Sequence, residues 1–178
     1  MVAGVPEIAV RTALPDEFVA LGELTVAAYR AVPGGSTSAG YEETLLDVAA
    51  RARDAEVLVA VAADGTLLGG VTYVPGPGAY AEFSGADEVG IRMLAVSPGA
   101  QRGGVGRRLV LECIERAQAA GRARIVLHTT AAMTAAQSLY GALGFVRTPA
   151  RDAHPSPRTH LIAYVLELDR PAPPTPAR

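Results

Sequence analysis

The chain has no lysine, no asparagine and no tryptophan, and it has a single cysteine. Without lysine, Schiff-base chemistry is excluded, and all 16 basic residues are arginine. One cysteine can neither close an internal disulfide nor build a zinc cage of several thiolates. No apolar run approaches the ~20 residues that a membrane-spanning helix needs. The first residues, Met1 to Glu7, lack the basic and apolar regions of a secretory signal, so a cytoplasmic location is expected. A net charge of −2 gives no general reason to expect nucleic acid or an anionic membrane as a partner. The 178 residues, 49% of them hydrophobic, suffice for about one domain with a real core.

The most informative stretch that is present runs from Glu88 to Gly106. A strand is expected over 89–96 and a turn over 97–99. Gln101, Arg102, Gly103, Gly104, Val105 and Gly106 then open a helical pattern that reaches Ala120. Glycines in the first turn of a helix leave backbone N–H groups uncovered. Those amides and the positive end of the helix dipole favour an anion, so the expected ligand carries a phosphate or pyrophosphate. The order Gln-x-x-Gly-x-Gly is not a P-loop, because no Gly-Lys-Ser/Thr follows. It is not the dinucleotide fingerprint either, because the third spaced glycine is missing. Arg102, Arg107 and Arg108 flank the expected anion, and arginine can grip phosphate oxygens with two donors. The competing reading is an ordinary solvated helix start. Leu109, Val110, Cys113, Ile114 and Ala117 form one apolar face of this helix, which makes Cys113 a core residue rather than a reactive thiol.

Elsewhere the pattern gives a first strand at 8–10 and a helix opened by Leu14, Pro15 and Asp16. A loop at 32–40 and a second helix at 41–53 follow. Strands at 57–62 and 67–73 are joined by Asp64-Gly65, a two-residue hairpin signal. After the glycine-opened helix come a strand at 124–130, a short helix carrying Tyr140, and a strand at 145–147. A proline-rich loop at 148–158 and a last strand at 160–168 close the chain. The mixture of hairpins and crossovers predicts an α/β protein with a central mixed sheet of about six to seven strands flanked by helices. Residues 1–168 are read as one domain. Residues 169–178 are read as a proline-rich disordered tail.

Gln101, Gly104 and Gly106 fill the fixed places of a Gln/Arg-x-x-Gly-x-Gly/Ala signature that follows a strand and opens a helix. In this the chain resembles the GNAT N-acetyltransferase superfamily. Residues 133–145 resemble that family's later motif, with Ala136, Leu139, Tyr140, Gly144 and Phe145 in place. Met133 stands where many members carry asparagine. The resemblance implies a twisted sheet whose strands at 89–96 and 124–130 splay apart around acetyl-CoA, with no metal. It implies that Gln101, Arg102, Gly103, Gly104, Gly106 and Arg107 hold the phosphates. The backbone of Leu94 and Val96 would pair with the pantetheine arm. Tyr140 would assist the departing thiolate, where a tyrosine of this kind is otherwise a core residue.

The general base is left between Glu88, His128 and water. Asp152 and His154, in the proline-rich loop, are placed at the acceptor pocket but do not reach a metal site. The implied reaction moves acetyl from acetyl-CoA to a primary amine of a small molecule by direct attack in a ternary complex. A protein N-terminus or lysine is the alternative acceptor. A non-catalytic acyl-CoA sensor is the alternative of another class. A homodimer is compatible with the chain.

Overall fold

The computed structural model describes residues 8–168 apart from Ser36 and Phe83, so the expected tail at 169–178 lies outside it. The elements are β1 (Ala9–Thr12), α1 (Phe18–Arg30), α2 (Ala39–Leu46), α3 (Val48–Asp54), β2 (Glu56–Val61), β3 (Leu67–Val74) and β4 (Glu88–Val96). They continue with α4 (Val105–Ala119), β5 (Arg124–Thr129), α5 (Thr134–Ala142), β6 (Val146–Arg147), β7 (Ala153–Ser156) and β8 (Thr159–Glu167). Among the described residues no helix is long and apolar enough to cross a membrane.

The sheet runs β1-β2-β3-β4-β5-β8-β6, with β7 pairing β8. Only β4 and β5 are parallel. The interior strand β2 is rich in valine, and Val57 to Val61 are all buried. This is the pattern of a strand covered on both faces. Its side chains alternate: Leu58 and Ala60 meet the α4 side, while Val57, Val59 and Val61 meet Leu21 of α1 and Val48 of α3. Helix α4 sends Leu109, Val110, Cys113 and Ala117 into the larger core, as its apolar stripe predicts. Burying each large aliphatic side chain there contributes roughly 1.5–3 kcal/mol.

Three local expectations change. The β2–β3 connection is not a two-residue loop: a turn closed by Gly65 N–H to Ala62 O at 2.9 Å is followed by Ala62 N–H to Thr66 O at 3.0 Å. Gly65 takes a positive φ of 85° there. The helix expected at 41–53 is two helices, because the Asp47 side chain caps α3 by accepting from Ala50 N–H at 2.8 Å. Arg51, 1% exposed, pins the resulting corner to the sheet. It donates to Leu45 O at the end of α2 at 2.8 Å and to Thr72 Oγ1 at 3.1 Å. Lastly, the proline-rich segment holds β7, which brings the sheet to eight strands. β7 carries Pro155 and pairs on one side only, the edge position that tolerates proline.

The feature that positions the site lies in β4. Gly70 pairs with Ala95 and Thr72 with Arg92, so β4 carries one extra residue against β3. Met93 sits in this bulge at a positive φ of 54°. Pairing of β4 with β5 runs from Glu88 opposite Arg124 to Ile91 opposite Leu127 and then stops, although β4 continues to Val96. Past Ile91 the two strands separate.

Candidate active site

The separation opens a cleft of about 480 Å³. Its walls are Leu94 and Val96 of β4, the turn from Ala100 to Arg107, the start of α5 with Met133 and Ala136, and Tyr29 at the end of α1. On the β5 side, the backbone of β4 past Ile91 has no ladder partner, which leaves N–H and C=O groups for an amide-bearing ligand.

At one end of the cleft the glycine-rich turn is built from left-handed residues. Arg102 has φ 66° and Gly104 has φ 82°. Gly104 is the N-cap of α4 and caps with no side chain. The first helical bond is Arg108 N–H to Gly104 O, at 2.9 Å. The N–H groups of Val105, Gly106 and Arg107 precede it and have no acceptor inside the helix. The sequence reading put all the glycines in the helix itself. The structure puts Gly103 and Gly104 ahead of it and only Gly106 in its first turn. Gln101, Arg102, Gly104, Gly106 and Arg107 all line the cleft. Arg102 and Arg107 are exposed and make no hydrogen bond or ion pair with the described residues. Gly103 is exposed in the turn but off the cleft wall, and its N–H reaches Ala100 O at 3.4 Å.

Tyr140 lies behind the cleft rather than on its wall. It is 5% exposed and its ring packs against Phe145 at 5.7 Å and Tyr164 at 6.2 Å. Its hydroxyl has no hydrogen bond with the described residues. Burial raises the phenol well above its ordinary value, so it keeps its proton at neutral pH. Tyr29, which the sequence reading passed over, is the phenol that does line the cleft. Burial pushes it up as well, helped by the neighbouring Tyr41 and Tyr140 phenols. Its signal was an aromatic at the end of the apolar stripe of α1, just before the Pro33-Gly34-Gly35 turn.

The two base candidates separate clearly. Glu88 is away from the cleft, 5% exposed, and gripped at both oxygens. Arg151 reaches Oε1 at 2.8 Å and Oε2 at 2.7 Å, Arg124 reaches Oε1 at 3.1 Å, and Gly85 N–H reaches Oε2 at 2.7 Å. The Arg151 bonds hold its carboxyl down at about 2. A carboxylate so weakly basic and so fully engaged makes a poor proton acceptor, which argues against the base role expected for it. His128 does not line the cleft either; it is half-buried on β5, next along from the last β4–β5 pair, and its Nε2 lies 2.9 Å from Arg151 O. Burial lowers its pKa, and the Arg151 and Arg92 charges act in the same direction, so the ring is neutral at physiological pH. A neutral imidazole is the form a base requires.

Asp152 and His154 do not reach the cleft as expected. Asp152 is paired with Arg147 at 2.6 Å and His160 at 2.9 Å, and it accepts from Ala163 N–H at 3.0 Å. Its commitments to β8 make it a clamp. His154 is exposed and stacks on His160, ring centres 4.6 Å apart. Cys113 is sealed in the core and burial pushes its thiol up to about 12. Among the described residues no three His, Cys, Asp or Glu side chains gather as a metal site.

A family model described as "Acetyltransferase (GNAT) family" matches residues 20–145. The chain belongs to the GNAT acetyltransferase family. Solved structures agree in fold. A GNAT acetyltransferase from Staphylococcus aureus Mu50 aligns with a TM-score of 0.73 at 14% identity, over 92% of this chain and 100% of that one. The acetyltransferase yncA from Salmonella typhimurium, solved with acetyl-CoA, aligns at 0.66 and 21% identity, over 96% and 99%. The ribosomal-protein-S18-alanine N-acetyltransferase of Escherichia coli aligns at 0.69 and 20% identity, over 95% and 99%. Among curated proteins no sequence matches.

As a GNAT protein the chain is an acyltransferase acting with acetyl-CoA, and its own residues fit that molecule. The uncovered N–H groups at 105–107 and the unpaired arginines suit a pyrophosphate. The unpaired β4 edge suits the amides of the pantetheine arm. Met133, in the place of the common asparagine, still lines the cleft, but as a thioether without an amide donor.

Proposed function

We propose that this GNAT protein transfers acetyl from acetyl-CoA to a primary amine of a small molecule by direct attack in a ternary complex. One observation carries the reading: the uncovered amides of 105–107 and the unpaired edge of β4 open onto the same cleft, and no thiol lines it. Cys113, the only thiol of the chain, is buried, and burial pushes it up to about 12, so it stays protonated at neutral pH.

The cosubstrate supplies an acetyl group activated as a thioester. The chain supplies the rest. Gln101, Arg102, Gly103, Gly104, Gly106 and Arg107 form the turn that holds the pyrophosphate, and the backbone of Leu94 and Val96 orients the amide arm. His128, neutral at physiological pH, takes the proton of the incoming amine. Tyr140, still protonated, donates toward the departing thiolate from behind the cleft wall.

Thiol release measured against matched panels of small amines and peptides tests the acceptor, with intact mass recorded after acetyl-CoA is added alone. Release with small amines and an unmodified mass at Cys113 are expected. Turnover confined to peptides would move the acceptor to a protein N-terminus or side chain. Donor binding without turnover on any amine would turn the protein into a sensor, and a stable Cys113 adduct would overturn direct attack.

A further inference from the structure

Glu88 and His128 were competing candidates for one role, yet a short chain of contacts joins them. Each Glu88 oxygen takes one nitrogen of Arg151, at 2.8 and 2.7 Å. Arg151 ends a 3-10 turn of three residues, Pro149–Arg151, whose first two residues are exposed. The carbonyl of that same Arg151 lies 2.9 Å from His128 Nε2. A carbonyl oxygen can only accept, so Nε2 must carry the hydrogen, and in the neutral ring Nδ1 then carries the lone pair. Arg151 N–H to Thr148 O and the Asp152 clamp hold the backbone on either side, and the paired Glu88–Arg151 contact sets where the arginine itself lies.

We propose that Glu88 is a positioning residue that acts through Arg151 to hold His128 as the Nε2–H tautomer, with Nδ1 as the proton-accepting nitrogen. This rests on the reading of His128 as the base. When the amine attacks, its N–H proton passes to Nδ1, and the bond to Nε2–H stays on the Arg151 carbonyl. Without that bond the Arg151 carbonyl no longer favours the Nε2–H form over the Nδ1–H form. The charged groups that face His128 are Arg151 and Arg92, which disfavour its cation, and Asp152, which favours it. The Arg151 carbonyl also favours the cation, so losing it should lower the His128 pKa.

The test is imidazole ¹⁵N spectroscopy on the full chain, read together with the pH profile of kcat/KM and the donor Kd. His128→Gln assigns the His128 signals against those of His154 and His160 and serves as the base control. In the wild type the Nε2–H form should dominate. In Glu88→Gln the two tautomers should mix, the acid-limb midpoint should fall, and kcat/KM should drop about 10- to 100-fold with an unchanged donor Kd, the range common for outer-shell partners. Arg151→Met reads the tautomer and kcat/KM should Glu88→Gln not fold, because it leaves Glu88 paired with Arg124; its pH midpoint is not compared, since it also removes a charge that disfavours the His128 cation. Arg151→Lys should recover part of the loss.

A folded Glu88→Gln with wild-type tautomer and pH midpoint, or a folded Arg151→Met with the wild-type tautomer, would overturn the positioning role, even with His128→Gln inactive. A mixed tautomer alongside a fully active His128→Gln would instead overturn the base reading, and with it any catalytic part for Glu88.

Discussion

Gly106 offers the cleanest separation of cofactor binding from folding. It sits in the first turn of α4 with ordinary helical geometry and lines the cleft. A Cβ built there would stand 3.3 Å from Leu139 Cδ2, the end of a flexible side chain, and 3.5 Å from Val96 Cγ2, an ordinary contact distance, both on the same cleft. Valine adds two methyl groups beyond that Cβ, beside the uncovered N–H groups of Val105, Gly106 and Arg107. A donor pushed out of reach of two of these amides loses two charge-assisted hydrogen bonds, worth about 1.5–3 kcal/mol each. At the low end that is about 3 kcal/mol, or roughly 100-fold in Kd. Folding should change little. Valine has the better helix propensity by a few tenths of a kcal/mol, which offsets the close contacts, so Tm should move by no more than about 4 °C. Calorimetric titration with CoA and a thermal melt on one preparation decide the matter. A folded Gly106→Val with wild-type affinity would refute the placement of the anion. Gly104 would be a poorer choice, because at φ 82° any side chain adds about 1–3 kcal/mol of backbone strain and confounds the two readouts.

Tyr140→Phe removes a hydroxyl that has no hydrogen bond with the described residues, so stability and donor Kd should hold. If the phenol assists the thiolate, kcat should fall about 10- to 1000-fold, and a full-rate variant would return Tyr140 to packing alone. Glu88 is held at about 2 against an ordinary 4.5, so the native state favours its ionised form. Its contribution, on the order of 3 kcal/mol at most, is complete above pH 4.5 and lost as pH falls toward 2. The stability gap between wild type and Glu88→Gln should therefore shrink over that window, and a gap constant down to pH 2 would contradict the pairing.

Local chemistry was legible in the sequence wherever a short segment decides its own conformation. The α4 stripe follows from residues within a few positions of one another, and so do a turn at Gly65 and a glycine-rich helix start, although the loop length of the first and the helix boundary of the second differ from the reading. The helix break at Asp47 was not legible, because Leu45, Leu46 and Val48 keep the apolar spacing while one capping side chain resets the backbone. β7 was hidden by prolines that an edge strand accommodates. The roles of Glu88 and His128 were out of reach for another reason. Arg124 and Arg151 lie 36 and 63 residues from Glu88 in the chain, and only the sheet brings them together. Tyr140 was found through its motif, but its place behind the wall depends on Phe145 and Tyr164 packing around it.

The same contrast governs the arginines. A net charge of −2 suggests a surface with no preference for anions, yet the positive charges are distributed unevenly. Arg11, Arg30, Arg116, Arg124, Arg147 and Arg151 each hold a carboxylate at 3.1 Å or less. Arg102 and Arg107, which line the cleft, hold none among the described residues. Arg53, Arg108 and Arg158 also make no ion pair with the described residues, but they do not line the cleft. Leaving the turn arginines unpaired is cheap, because exposed guanidinium groups stay hydrated. Leaving Glu88 unpaired would be costly, because its carboxylate is buried. Pairing is thus concentrated where desolvation demands it, and cations stay available where a phosphate can displace their water. Guanidinium suits both tasks, since its planar fork matches carboxylate and phosphate alike. A chain without lysine can therefore use one residue type to lock one end of the β4–β5 pair and to receive a polyanion at the other.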